Sequence, residues 1–348
     1  MDFPPPLIPP FPPPLIPPIP HRRTTRSGRR PRHRVLAAAA SSVLALSALV
    51  GCGPSRELSR HDGLAVVHVG HIPVVDAAAF TLAVDKGWFR DEGIDARADA
   101  TSAGALLTNL INGTDQFALC ETAGVVSAYA KGLPVHVIGG VSKAAPRPED
   151  DSGALLVMKN GPVKEPADLN GRTVAVGQLK GGGEVALRAA LDLAGADSDR
   201  VKILEMPLSD MTAALVKGRI DAMSTISPFD TPALAQGAVR MMSPGVEAAP
   251  HGMQMAVATS SVFAGKNPEI VRGFRRALDK GIAYAATHPA EVRKVLPSIS
   301  PLPKNLISTM KLPVFDASAP RSSLKVWIDL MERYRFLSEP VDVDKLLS

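Results

Sequence analysis

Three consecutive glycines, Gly181-Gly182-Gly183, stand between a Val-rich run, Thr173–Val176, and an apolar-periodic stretch, Glu184–Leu193. Glycines at the opening of a helix let backbone amides approach a ligand closely, and the free N–H groups of a first turn favour an anionic oxygen. Gln178 and Lys180 add a polar group and a positive charge beside them. The plainer reading is a flexible loop that holds nothing. Two acids complicate an anion site. Asp76 and Glu121 both fall at strand-to-helix turns, where a carboxylate either stabilises the first helical turn or faces a ligand. Asp76 reads first as an N-cap. If Glu121 faces a cleft, a zwitterion such as taurine or an amino-substituted heterocycle fits better than nitrate or sulfate.

Other chemistry is thinly represented. Cys120 has no histidine partner in sequence and reads as a small buried apolar residue, so no catalytic residue is assigned. The His, Asp and Glu residues lack metal-ligand spacing, and no metal or other cofactor is expected. Gly181-x-Gly183-x-x-Ala186 does match a dinucleotide-binding pattern, with Glu205 about twenty residues beyond it. A nucleotide-dependent oxidoreductase is therefore the alternative. Against it, Gln178-Leu179-Lys180 separate the glycines from the strand, and Gly183 stands where a phosphate loop needs lysine.

The elements that must position these residues alternate between short apolar strands and helical patterns, the rhythm of an α/β fold with parallel strands. Strands are predicted at Leu64–Val69, Phe117–Leu119, Val135–Gly139, Ala154–Met158, Thr173–Val176, Val201–Leu204, Ile220–Ile226 and Met253–Thr259. Helices are predicted from Asp76 to Gly87, through Val125 and Tyr129, over Glu184–Leu193 and over Asp210–Val216. A further helix opens at Asn267-Pro268-Glu269 with a stripe of Ile270, Phe274, Leu278 and Ile282. Leu324, Trp327, Ile328 and Met331 make a second stripe, read as core. Ligands of open parallel sheets sit at the carboxyl ends of the strands. That rule selects His71, Asp76, Ser102, Glu121, Thr122, Gln178, Lys180, Gly181, Gly182, Gly183, Ser227 and Phe229 as candidate ligand contacts.

The amino-terminal 63 residues have a different character. Residues 1–20 hold eleven prolines, an extended leader or the product of a start codon assigned too far upstream. An arginine cluster from Arg22 to Arg34 then precedes sixteen uncharged residues, Val35–Val50, the plan of a signal peptide over residues 21–51. Leu49-Val50-Gly51-Cys52 resembles the bacterial lipoprotein box, which implies lipidation of Cys52, a tether over 52–63 and anchorage on the outer face of the cytoplasmic membrane. Seven arginines of the +5 net charge lie in residues 1–51, and the remainder carries 32 basic against 33 acidic residues. The body thus has no electrostatic reason to bind nucleic acid.

The run Leu82-Ala83-Val84-Asp85-Lys86-Gly87-Trp88-Phe89-Arg90-Asp91-Glu92-Gly93-Ile94 resembles a signature of type II solute-binding proteins. These serve ABC importers of the nitrate, sulfonate, taurine and thiamine-precursor group. Asp168-Leu169-x-Gly171-Arg172, Ala213-Ala214-Leu215-x-x-Gly218-x-Ile220-Asp221-Ala222 and Ser227-Pro228-Phe229 are similar to that family in order and spacing. The resemblance implies a type II periplasmic-binding-protein fold: lobe one over 64–145 plus 253–348, lobe two over 154–244, two hinge crossings and a cleft between. It further implies a monomer that captures a small solute by lobe closure, with the ABC permease and ATPase on separate chains. Relatives that make the thiamine pyrimidine carry a cysteine-rich motif absent here.

Overall fold

The structure is a computed structural model and describes residues 58–300 and 302–347. The proline tract, the arginine cluster and Cys52 lie outside the described residues. The chain opens with β1 (Arg60–His61) and β2 (Leu64–His71), whose run of valines is buried on both faces. Next come α1 (Ala78–Asp85), α2 (Trp88–Asp91), β3 (Ile94–Ala100), α3 (Ala103–Asn112), β4 (Phe117–Glu121), α4 (Thr122–Ala130) and β5 (Val135–Lys143). Residues 144–152 cross into a second lobe. It holds β6 (Gly153–Met158), β7 (Thr173–Val176), α5 (Gly182–Leu193), β8 (Lys202–Glu205), α6 (Leu208–Val216), β9 (Ala222–Ile226), α7 (Asp230–Ala235), β10 (Ala238–Met242) and α8 (Pro244–Ala248). Residues 249–252 return to β11 (Met253–Ser260), followed by α9 (Ser261–Lys266), α10 (Pro268–Thr287), α11 (Pro289–Ile299) and α12 (Lys304–Ile307). The chain closes with β12 (Val314–Phe315), α13 (Arg321–Arg333) and α14 (Val343–Leu346).

Each lobe has its own sheet. Lobe one orders its strands β1-β2-β4-β11-β5-β12 with β3 also on β2, and lobe two orders them β10-β6-β9-β7-β8. The expected α/β fold with parallel strands is present, and antiparallel pairings join it. β2 pairs parallel with β3 and β4, and β7 parallel with β8 and β9, but β11 lies antiparallel to both β4 and β5. β6 is likewise antiparallel to β9 and β10. The reason is the crossings: β6 and β11 each enter their sheet from the other lobe, so they run against strands fed by local helices.

The signature run acts as scaffold. Gly87 and Gly93 adopt φ of +76° and +73°, which lets α1, α2 and β3 follow one another with almost no loop. Phe89 then packs at 5.0 Å from Phe274 of α10, which stacks at 3.7 Å on Phe117 of β4. Glu92 pairs with Arg276 at 2.6 Å on the outside of the same contact. At Gly281 a Cβ would lie 2.4 Å from the Ala79 carbonyl, so α1 and α10 touch backbone to side-chain-free backbone.

Several boundaries differ from expectation. α1 begins at Ala78, its N-cap is Ala77, and Asp76 sits inside a preceding 3-10 turn, so Asp76 caps nothing. α5 starts at Gly182, two residues before the expected Glu184, because a carboxylate from lobe one stabilises its first turn. Asn267 uses its side-chain amide to donate to Phe263 O at 3.2 Å and closes α9 instead of capping α10. β3, α3 and β10 were not expected; β3 reads IDARADA and is half-exposed, so its polar residues hide the strand pattern.

Candidate ligand cleft

A cavity of about 1260 Å³ opens between the two sheets, walled by residues of both lobes. Both hinge crossings meet beside it. Arg240 donates to the carbonyls of Asp151, at the end of the first crossing, and Gly153, at the start of β6, and at 2.8 Å to Ser243 Oγ just before α8. Ser243 Oγ in turn donates to Pro148 O at 2.6 Å, so the first crossing is tied to the turn that opens α8.

Of the expected contacts, Asp76, Ser102, Glu121, Gln178, Gly182, Gly183 and Phe229 form part of the cavity wall. His71, Thr122, Lys180, Gly181 and Ser227 do not. His71 is buried in β2 with Nδ1 at 2.9 Å from Ile72 O, and burial lowers its pKa. Thr122 turns inward and donates to Gln254 O at 3.3 Å. Lys180 adopts φ of +56°, and its backbone N–H donates to Glu184 Oε2 at 2.8 Å, which sets the turn into α5. Gly181 is the N-cap of that helix. Ser227 is fully buried and donates to Asp230 Oδ1 at 2.9 Å, while its carbonyl accepts from Val75 N at 3.4 Å across the cleft.

The glycine run holds an anion that comes from the chain itself. Gly182 N–H donates to Glu121 Oε2 at 3.1 Å, and the Gly183 amide also bonds this carboxylate. Glu121 ends β4 in lobe one, and α5 belongs to lobe two, so this contact spans the cleft. A Cβ at Gly182 would sit 3.0 Å from Glu121 Oε2 and 3.3 Å from Ala123 Cβ, so any larger residue there would crowd the carboxylate. The same observation disposes of the dinucleotide alternative: the helix terminus that a pyrophosphate would need is already occupied by a carboxylate. Burial raises the Glu121 pKa, partly offset by the two amides, with the Asp76 charge raising it further.

Asp76 is the most unusual group in the wall. It is 1% exposed; Oδ1 accepts from Ser142 Oγ, and Oδ2 has no partner among the described residues. Burial pushes its carboxyl up to about 6, against the hydrogen bond from Ser142. Asp151, also in the wall, is pushed up to about 6 by burial, against the Gly153 amide and the Arg240 charge. Sequence reasoning missed Asp151 because it sits in a charged segment that reads as surface loop. It also missed Ser142, Thr225 and Trp327. Trp327 belongs to the core stripe as expected, yet its ring edge reaches the wall while Nε1 donates to Met253 O at 2.7 Å. Cys120 is buried as expected, its thiol pushed up to about 12 by that burial.

Residues 75–292 match the family described as NMT1/THI5 like. Riboflavin-binding protein RibY of Chloroflexus aurantiacus is 27% identical over 233 residues, 64% of this chain and 62% of that protein. A putative aliphatic sulfonates-binding protein of Escherichia coli is 27% identical over 184 residues, 53% of this chain and 55% of that protein. The chain thus spans less than two thirds of the length of these relatives. Among solved structures, the alkanesulfonate-binding protein SsuA from Xanthomonas axonopodis pv. citri, bound to MOPS, superposes with a TM-score of 0.69 at 18% identity. That match covers 82% of this chain and 99% of the other, and it establishes the type II periplasmic-binding-protein fold. With the family match extending over more than half of its length, the chain belongs to the NMT1/THI5-like family.

Proposed function

We propose that this protein is the extracytoplasmic solute-binding component of an ABC importer, closing its lobes on a small solute and presenting it to a membrane permease. The observation that carries the reading is the cavity of about 1260 Å³ walled by both lobes at the hinge. A ligand that touches both walls favours the closed form by the affinity it adds there. The cavity is large for nitrate and roomy enough for a ring-bearing solute, since small-molecule pockets run from about 300 to 1,000 Å³. The relatives bind riboflavin or sulfonates by their names; sulfonates lie within the solute classes that the family resemblance implies, and riboflavin adds a ring-bearing one.

In this reading the protein is a monomer, exported by the general route and held at the outer face of the cytoplasmic membrane by a lipid on Cys52. The lobe division at 64–145 plus 253–348 and 154–244 is the working unit of closure. No chemistry on the solute is assigned, and the buried Cys120 thiol supports that. A thermal-shift screen of the purified protein tests it, with taurine, alkanesulfonates, nitrate, thiamine-pathway pyrimidines, riboflavin, amino acids and NADH. A solute at about 100 times its Kd stabilises by about 2.7 kcal/mol, a rise of several degrees. A shift with NADH alone overturns the proposal. Labelling with radioactive palmitate, lost in Cys52→Ser, tests the anchor.

A further inference from the structure

We propose that Asp76 anchors a subsite for an organic cation, an ammonium or amidinium head on an apolar body, and that the cleft discriminates against sulfonates. The inference deepens the solute-binding reading and rests on it. Three independent observations lead there. The first is that the anion seat is taken: the free amides at the start of α5 already hold Glu121 Oε2, with Gly182 N at 3.1 Å. A sulfonate would have to displace a carboxylate that also joins the two lobes.

The second is the unpartnered acceptor. Asp76 forms part of the wall and is 1% exposed, and Oδ2 has no hydrogen-bond partner. A buried carboxylate oxygen without a donor costs stability unless something supplies one. Its neighbours do not: Glu121 and Asp151 are themselves acids whose titration feels the Asp76 charge. A cation entering there satisfies Oδ2 and relieves the repulsion among three carboxylates. On the lobe-two wall, Thr225 Oγ1 is a second buried group without a partner, able to hold the same solute from the other side.

The third is the charge of the wall as a whole. It contains four acids, Asp76, Glu121, Asp151 and Glu205, and two lysines. Lys143 is paired with Asp316 at 2.6 Å, and Lys217 is exposed on α6. The uncharged part of the wall mixes hydroxyl and amide side chains with Ile72, Leu208, Ile226, Phe229 and Trp327, which offer an apolar body its contacts.

Calorimetric titration of the wild type and of Asp76→Asn with benzamidine, phenethylamine, butanesulfonate and riboflavin tests the proposal. Asn preserves the shape and the acceptor for Ser142, and circular dichroism checks that the variant is folded. At least one of the two cations is expected to bind the wild type and to bind Asp76→Asn about ten- to a hundredfold more weakly, the scale of a lost charged hydrogen bond. Butanesulfonate is expected not to bind either protein. Equal cation affinity in the two proteins overturns the proposal, as does binding of butanesulfonate. Binding of riboflavin or butanesulfonate without either cation overturns the cation subsite and leaves the solute-binding reading standing. Silence with all four probes also overturns the subsite, and the thermal-shift screen then decides the broader reading by itself.

Discussion

Replacing Asp76 by Asn in the solute-free protein is expected to raise stability at neutral pH and to leave it unchanged in acid. The wild-type carboxyl is pushed from 3.8 to about 6 by burial. A raised carboxyl pKa means that the folded state keeps a proton that the unfolded chain releases. Its stabilising contribution is therefore complete below about pH 4 and lost as pH rises through about 6. Two units at 1.36 kcal/mol each give about 3 kcal/mol as the ceiling of that loss. Asn carries no charge to lose, and its amide needs an acceptor just as the O–H of the protonated acid does, so the two side chains match in acid. The surrounding acids push the same way, because Glu121 and Asp151 are both raised by the Asp76 charge. A gain of up to about 3 kcal/mol, set against an unfolding entropy of about 2.1 cal/mol/K per residue, raises Tm by about 4–5 °C. The assay is thermal unfolding by circular dichroism, for both proteins, at steps from about pH 4 to pH 8. The curves are expected to coincide in acid and to separate through the interval between about pH 4 and 6. A Tm difference that is constant with pH, or an Asn variant that is the less stable at neutral pH, refutes the reasoning.

Gly281→Ala is expected to destabilise by about 1–3 kcal/mol in urea unfolding, since its Cβ would meet Ala79 O at 2.4 Å and Ala83 Cβ at 2.9 Å and push α1 off α10. Cys120, whose thiol is pushed up to about 12, is expected to resist iodoacetamide at pH 8 in the native protein and to react fully once unfolded, as read by mass spectrometry.

The scaffold was more legible than the cleft, and the reason is range. Gly87 and Gly93 mark helix ends by a local backbone requirement, and Phe274, Leu278 and Ile282 mark a buried face by local periodicity; each signal is contained in one stretch of chain. The strands of lobe two appeared for the same reason, as runs of Val, Ala and Leu between turns. β3 escaped because a half-exposed strand with Asp95, Arg97 and Asp99 carries no apolar run. The direction of β11 escaped because it depends on where the chain re-enters the sheet after visiting the other lobe. Asp76 was visible as a residue at the right strand end, but its meaning was not. Ser142, 66 residues away, supplies a donor to Oδ1 alone, and among the described residues none reaches Oδ2.

Glu121 shows the same limit from the opposite side, and it changes how closure has to be understood. The chemistry inferred from Gly181-Gly182-Gly183, an anion on a helix N-terminus, is the chemistry observed, yet the anion lies 61 residues earlier in the chain and in the other lobe. The Glu121 contact with α5, the Val75–Ser227 backbone bond and the Tyr334–Asp192 hydrogen bond all join one lobe to the other. On the proposed solute-binding reading, the ligand does not have to supply negative charge at α5. The proposed cation subsite asks it for a donor to Asp76 instead, so that selectivity would come from the acceptor left over after the protein has satisfied its own helix dipole.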